Sequence, residues 1–307
     1  MKTISVIVLT YNSQDYIKET LDSILTQELL PNYKMEIIIG DDCSKDDTRT
    51  ILQTYYDRYP NIISLIFNEY NMGVIKNYFN VFSNCTGEYV MECAGDDYWL
   101  PGKVKTQVKF LDENSEFLAC CGDAKILYNN SRLEKRYAKN KETDFVTLIR
   151  GNTIVTPTIC FKKKAMKEYI HDIDPLNHEW IMEDYPAWLW MSKNGKIAYI
   201  DEEMAVYRIN SNSISHQAVL SKQIAFEENT YCIQQFFADS DSMRKVAFDG
   251  HLLRLEEIFL SYEIPNKYRE IVSQRYGIKS KLKYFCSLLP GYFFVVKFFR
   301  KSKKSCV

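Results

Sequence analysis

The first 130 residues alternate short β-branched runs with stretches whose apolar residues recur at helical spacing, and this alternation restricts the fold more than any other feature. Residues 4–9 form a nearly continuous apolar run, the pattern of a strand buried on both faces. Ile17, Leu21, Ile24 and Leu25 then share one side of a helix predicted over about 15–27. The spacing predicts further strands at 35–39, 62–67 and 89–91, with helices at about 47–59, 74–85 and 104–111. Ser44 or Asp46 is suited to cap the second helix. Sustained strand–helix alternation predicts an α/β fold: a Rossmann-like, mostly parallel central sheet flanked by helices.

Beyond Leu118 the pattern is mixed. Residues 118–127, 159–161, 197–200 and 205–209 have strand character and 183–193 helical character, and from His216 to about Gly277 the pattern is helical. No internal repeat and no Gly/Ser/Pro-rich linker interrupts the chain. The expected organisation is a main domain over 1–215 and a helical C-terminal region over 216–307. A 307-residue chain with 46% hydrophobic and 26% charged residues can bury a substantial core, which excludes a mainly disordered protein.

Nine scattered cysteines with no CxxC spacing argue against a disulfide framework and a zinc knuckle, and fit a reducing compartment. The first ten residues hold one Lys and a short β-branched run, too little for the apolar core of a signal peptide. A cytoplasmic protein is expected. The net charge of −1 conceals an asymmetry: residues 267–307 carry eleven basic residues against Glu270, a balance of +10 that leaves −11 for residues 1–266. Within that tail, residues 284–299 are rich in aromatics but interrupted by Pro290-Gly291 and Lys297, short of the ~20 apolar residues of a spanning helix. Basic side chains around aromatic rings suit a segment, 278–307, lying on the anionic inner face of the cell membrane. The alternatives are a helix packed on the preceding domain and a basic tail without fixed structure. Nucleic acid is not an expected partner, because no nucleic-acid-binding motif accompanies the basic residues.

Three carboxylate pairs stand where elements begin or end: Asp41-Asp42 after the second strand, Asp96-Asp97 after the fourth, and Glu183-Asp184 at a helix start. In a parallel α/β sheet the carboxyl ends of strands converge on one ligand-binding edge. Adjacent carboxylates repel, and a divalent cation is the simplest compensation. Mg²⁺ and Mn²⁺ take oxygen ligands, commonly one or two protein carboxylates, and leave the rest of the shell to phosphate and water. A single Asp-Asp pair is more commonly a turn or cap, so the ordered set matters more than any member.

That ordered set is Ser5-Val6-Ile7-Val8-Leu9-Thr10-Tyr11-Asn12, Asp41-Asp42-Cys43-Ser44-Lys45-Asp46, Gly95-Asp96-Asp97-Tyr98-Trp99-Leu100-Pro101-Gly102-Lys103 and Glu183-Asp184. Asn71-Met72-Gly73, Gly151-Asn152, and Tyr199-Ile200-Asp201-Glu202 leading to Tyr207-Arg208 accompany it. Over about 3–215 the chain resembles the family 2 glycosyltransferases with the GT-A fold. The resemblance implies an inverting, metal-dependent enzyme of hexosyltransferase type, using Mn²⁺ or Mg²⁺ and a nucleotide-sugar donor. Its acceptor would be a glycan or lipid-linked saccharide of bacterial surface polysaccharide biosynthesis.

By the same resemblance Thr10, Tyr11, Asp42, Asn71 and Asp96 bind the donor. Tyr11 flanks the base, and Asp42 accepts from a ring N–H, which favours uracil or thymine and makes UDP the first choice. Asp96 meets the ribose or sugar hydroxyls, Asp97 ligates the metal, and Asp184 is the general base. Glu183 caps its helix, and Trp99 lies either beneath the acceptor or in the core. Many relatives have a His two residues after the Tyr-Arg pair, where this chain has Asn210. Arg208 and His216 are the remaining candidates for diphosphate contact. A sugar nucleotidyltransferase would need a Gly-rich basic loop where Thr10-Tyr11-Asn12-Ser13 stands, and a Rossmann dehydrogenase would need GxGxxG there. A catalytically silent glycan- or membrane-binding scaffold of the same fold is the third alternative, opposed by the intact Asp42, Asp97 and Asp184.

Overall fold

The structure, a computed structural model, describes residues 1–128, 132–135, 142–209 and 219–261. The described residues of 1–148 and 152–209 form one compact unit, and those of 149–151 and 219–261 belong to a second.

The first unit is α/β, with helices flanking a central sheet. Strands β1 (Lys2–Thr10), β2 (Tyr33–Asp41), β3 (Ile63–Phe67) and β4 (Tyr89–Ala94) form a parallel block in the order β3-β2-β1-β4. Their helices are α1 (Ile17–Leu25), α2 (Thr48–Arg58) and α3 (Val74–Ser83), followed by α4 (Lys103–Glu113). Ile4, Val6 and Val8 of β1 join Ile37, Ile39, Met91 and Cys93 in a core that Ile17, Leu21 and Ile24 of α1, Leu52 of α2 and Val104 and Val108 of α4 complete. Alternate residues face the other side, where α3 covers β1 and β2. Gly40 permits that approach: a Cβ there would stand 2.3 Å from Val81 Cγ2 and 2.6 Å from Asn77 Oδ1.

Past β4 the sheet continues with short β5 (Tyr98–Trp99), then β6 (Phe117–Tyr128), β7 (Arg132–Lys135), β8 (Cys160–Lys162) and β9 (Lys196–Ile209). Strand β8 lies antiparallel between β4 and β6, β9 runs parallel to β6, and β5 and β7 pair antiparallel with β9 and β6. The two strands predicted at 197–200 and 205–209 are one strand. Its polar Asp201-Glu202-Glu203 segment coincides with register shifts against β6 rather than with a turn. Helices α5 (Phe145–Arg150), α6 (Lys163–Ile173) and α7 (Asp184–Asn194) complete the elements up to β9, and of these α7 alone is predicted from the sequence.

In the second unit α8 (Leu220–Phe237) and α9 (Asp241–Ser261) are antiparallel neighbours in sequence, separated by a short break at 238–240. Buried Glu227 meets His251 Nδ1 at 2.7 Å and Arg254 Nε at 2.6 Å, so its carboxylate is fully partnered where water is excluded. Among the described residues no helix is long and apolar enough to cross a membrane. The tail at 278–307 and the helical pattern expected over 262–277 lie outside the described residues.

Candidate functional site

The parallel block brings the predicted residues to one edge because it aligns the strand ends: Thr10 pairs with Asp41, and Leu9 with Ala94. The loops beyond are stitched together. Asn12 donates its N–H to Ser44 Oγ (2.8 Å) and its Oδ1 accepts from the Lys45 N–H (2.8 Å). Tyr11 between them is 48% exposed, so its ring is open to a ligand.

Asp41 and Asp42 have different surroundings. Asp41 is fully buried and paired with Arg49 and Ser44, which is a structural role. Asp42 holds the loop after β3: Oδ1 accepts from Asn68 Nδ2 (3.0 Å) and the Met72 N–H (2.9 Å), and Oδ2 from the Gly73 N–H (2.9 Å). Gly73 has φ +85°, which glycine adopts without strain. The exposed Asn71 joins this turn, its Oδ1 accepting from the Gly73 N–H at 3.2 Å.

Asp96 and Asp97 also differ in their burial. Asp96 is half-buried, whereas Asp97 is 1% exposed. Asp97 Oδ1 accepts from the Arg208 N–H (2.8 Å); its Oδ2 is enclosed without a hydrogen-bond partner, as is Thr10 Oγ1 nearby on β1. Burial, followed by the Asp96 charge, holds the Asp97 carboxyl well above the usual carboxylate range. Thr20 Oγ1 donates to the carbonyls of Gly95 (3.1 Å) and Asp97 (2.6 Å) and so fixes the turn from α1. The Arg208 guanidinium, expected at a diphosphate, donates to the Asp96 carbonyl (2.7 Å) and to Glu19 Oε2 (2.6 Å) and lies over the Tyr16 ring. Trp99 is buried in the core, and Lys103 Nζ lies 4.4 Å from its ring centroid.

Asp184 opens α7. Its Oδ2 accepts from Thr156 Oγ1 (2.6 Å) and its Oδ1 from the Tyr185 N–H (2.6 Å). Glu183 occupies the position before the helix but makes no side-chain cap bond, which corrects the expected capping role. Glu92 of β4, buried and bonded to the Tyr78 hydroxyl, completes an acidic region with Glu183 and Asp184. Burial raises all three carboxyls. Asp184 adds to the rise at Glu183, and the Glu183 and Asp184 charges add to that at Glu92. The sequence reading missed Glu92 and Thr156. A lone carboxylate in the apolar run Tyr89-Val90-Met91-Glu92-Cys93-Ala94 is the signal that marks Glu92. Asn210 and His216 lie outside the described residues.

A divalent cation fits the Asp96-Asp97 turn by its chemistry: two hard oxygen donors side by side, one half-exposed, and a buried carboxylate oxygen lacking a donor. Among the described residues no group of three or more Asp, Glu, His or Cys is placed to cage an ion.

The family model for glycosyl transferase family 2 matches residues 5–172. The uncharacterized Mycobacterium tuberculosis protein Rv1520 is 31% identical over 228 residues, covering 73% of this chain and 63% of that protein, so the chain spans less than two thirds of this relative's length. The putative teichuronic acid biosynthesis glycosyltransferase TuaG of Bacillus subtilis is 32% identical over 213 residues, 69% of this chain and 81% of TuaG. The crystal structure of S. aureus TarS 1–349 with UDP-GlcNAc superposes with a TM-score of 0.64 at 21% identity, covering 95% of this chain and 83% of that one, a likeness of fold. With more than half of its length matched by the family model, the chain belongs to glycosyl transferase family 2.

Proposed function

We propose that this chain transfers a sugar from a UDP-sugar to a hydroxyl of a glycan or lipid-linked acceptor, inverting the anomeric centre, in bacterial surface polysaccharide biosynthesis. The observation that carries the reading is the placement of two carboxylate sets along β4: Asp96-Asp97 just beyond its end, and Glu183-Asp184 within electrostatic reach of its Glu92. The glycosyltransferase name of TuaG and the UDP-GlcNAc bound by TarS support the polysaccharide and UDP assignments.

Tyr11 flanks the uracil ring, and Asp42 Oδ2, which accepts one protein N–H, takes the ring N–H with its remaining lone pair. Thr10 and Asn71 border the nucleoside. Asp96, the half-exposed carboxylate, and Asp97 Oδ2, the enclosed oxygen that lacks a donor, would hold Mn²⁺ or Mg²⁺, while Asp97 Oδ1 and Arg208 keep the turn in place. The bound cation supplies neutralisation of the charge that develops on the diphosphate. Asp184 accepts the proton of the acceptor hydroxyl as its oxygen bonds to the anomeric carbon and the bond to the diphosphate oxygen breaks. One base suffices, since the leaving group departs as an anion and needs no proton. Arg208, bound to Glu19 and Asp96, is reassigned to positioning, and His216 remains a candidate diphosphate contact. We further propose that 278–307 hold the protein at the anionic inner face of the cell membrane.

A panel of UDP-hexoses and UDP-N-acetylhexosamines, scored for donor hydrolysis with Mn²⁺, tests the reading. One or more donors should be hydrolysed by the unmodified chain and none by Asp184→Asn. Hydrolysis of no UDP-sugar but of another nucleotide sugar would overturn the UDP assignment.

A further inference from the structure

Between Val155 and Ile159 the chain makes a single 3-10 turn, Thr156–Thr158, and the core grips it at several points. Gln107 of α4, itself fully buried, donates its amide to the carbonyls of Thr158 (2.7 Å) and Cys120 (3.1 Å). Lys103, one helical turn earlier, donates to Gln107 Oε1 (2.6 Å) and to the Ile159 carbonyl (3.1 Å). Thr158 Oγ1 closes the turn on the Val155 carbonyl (2.7 Å), and the buried Pro157 restricts φ inside it. A surface turn of three residues would not by itself require two buried polar side chains of another element. This one has them, and from it Thr156 Oγ1 reaches Asp184 Oδ2 at 2.6 Å.

We propose that Thr156 is the positioning residue of the Asp184 base, presented by a turn that Lys103 and Gln107 fix from the core. The proposal rests on the reading of Asp184 as the base. Asp184 Oδ1 accepts from the N–H of its own neighbour Tyr185, a bond that cannot by itself orient the carboxylate against the rest of the fold. The Thr156 hydroxyl supplies the second, non-local point. Each carboxylate oxygen has two lone pairs, so a hydroxyl that occupies one leaves another for the acceptor proton. The bond also favours the ionised carboxylate. It works against the burial that raises the Asp184 carboxyl, in a region that includes the Tyr169 hydroxyl, buried without a hydrogen-bond partner.

The test compares Thr156→Val, Thr156→Ala, Thr156→Ser and Asp184→Asn with the unmodified full-length chain, measuring UDP binding and the pH profile of hydrolysis of the donor found by the panel. Thr156→Val and Thr156→Ala should bind UDP within about twofold of the unmodified chain yet lose about tenfold or more in kcat with little change in KM, as for an orientation defect. Their acidic limb should move up by about one pH unit, as expected when a donor to the charged form is removed. Thr156→Ser, which keeps the hydroxyl, should restore both. If Asp184→Asn is inactive while both hydroxyl-free variants keep the original kcat and acidic limb, the positioning role is overturned and the base stands. If Asp184→Asn turns over normally, the base reading falls and this inference falls with it.

Discussion

Arg208 donates its backbone N–H to Asp97 Oδ1 at 2.8 Å, across 111 residues of chain, while its guanidinium holds the carbonyl of the neighbouring Asp96. Strand β9 therefore braces the turn from both backbone and side chain. In Arg208→Ala the backbone bond persists but the Asp96 carbonyl loses its charged donor in a partly buried site. We expect a loss of about 1–3 kcal/mol, read as a lower urea midpoint. The Glu19 partner, half exposed, contributes little of that.

Asp96→Ala should abolish the gain in UDP affinity produced by Mn²⁺, leaving the metal-free affinity intact by calorimetry. Asp97→Asn, which keeps the shape and the bond to Arg208, should retain part of the gain. Equal UDP affinity with and without Mn²⁺ in the unmodified chain would remove the metal from the reading.

Asp184→Asn preserves size and should bind UDP normally while losing about 10²–10⁴-fold in turnover, the usual contribution of general-base catalysis. Steady-state hydrolysis alongside UDP calorimetry separates the two effects.

Burial lowers the Lys103 ammonium from 10.5 to about 8, without a carboxylate bonded to it. Above pH 8 the folded chain releases this proton while the unfolded chain keeps it until about pH 10.5, so the unfolded state binds more protons. Stability from this group therefore rises with pH across that window, by up to about 1.4 kcal/mol per unit. Urea unfolding at pH 7.5 and 9.5 should show this gain, and Lys103→Met should lack it.

Gly40→Ala introduces a methyl group 2.3 Å from Val81 Cγ2, so α3 must retreat from β2. We expect a loss of about 1–3 kcal/mol in chemical unfolding. Weaker UDP binding should accompany it, since Asn77 of α3 and Asp42 both bond to Asn68.

The parallel block was legible because both faces of its central strands β1 and β4 are buried, which leaves a nearly continuous apolar run at Ile4–Val8, and because α1 shows helical spacing at Ile17, Leu21 and Ile24. Beyond β4 local pattern gave less. Strand β5 is two residues long, β8 three, and α6 begins directly at the end of β8 with no cap hydrogen bond to announce it. These elements are held by partners distant in the chain, which no local window contains.

At the site, the sequence by itself determined which carboxylates stand at strand ends and helix starts, because strand and helix periods set where each element stops. Tertiary structure alone decided what each carboxylate does. Asp41 is paired with Arg49 while Asp42 holds a loop, and Asp97 is enclosed while Asp96 is half-buried. Adjacent residues of one type have the same intrinsic chemistry. Burial and the donors that distant segments supply, Arg208 to Asp97 and Thr156 to Asp184, are what separate them.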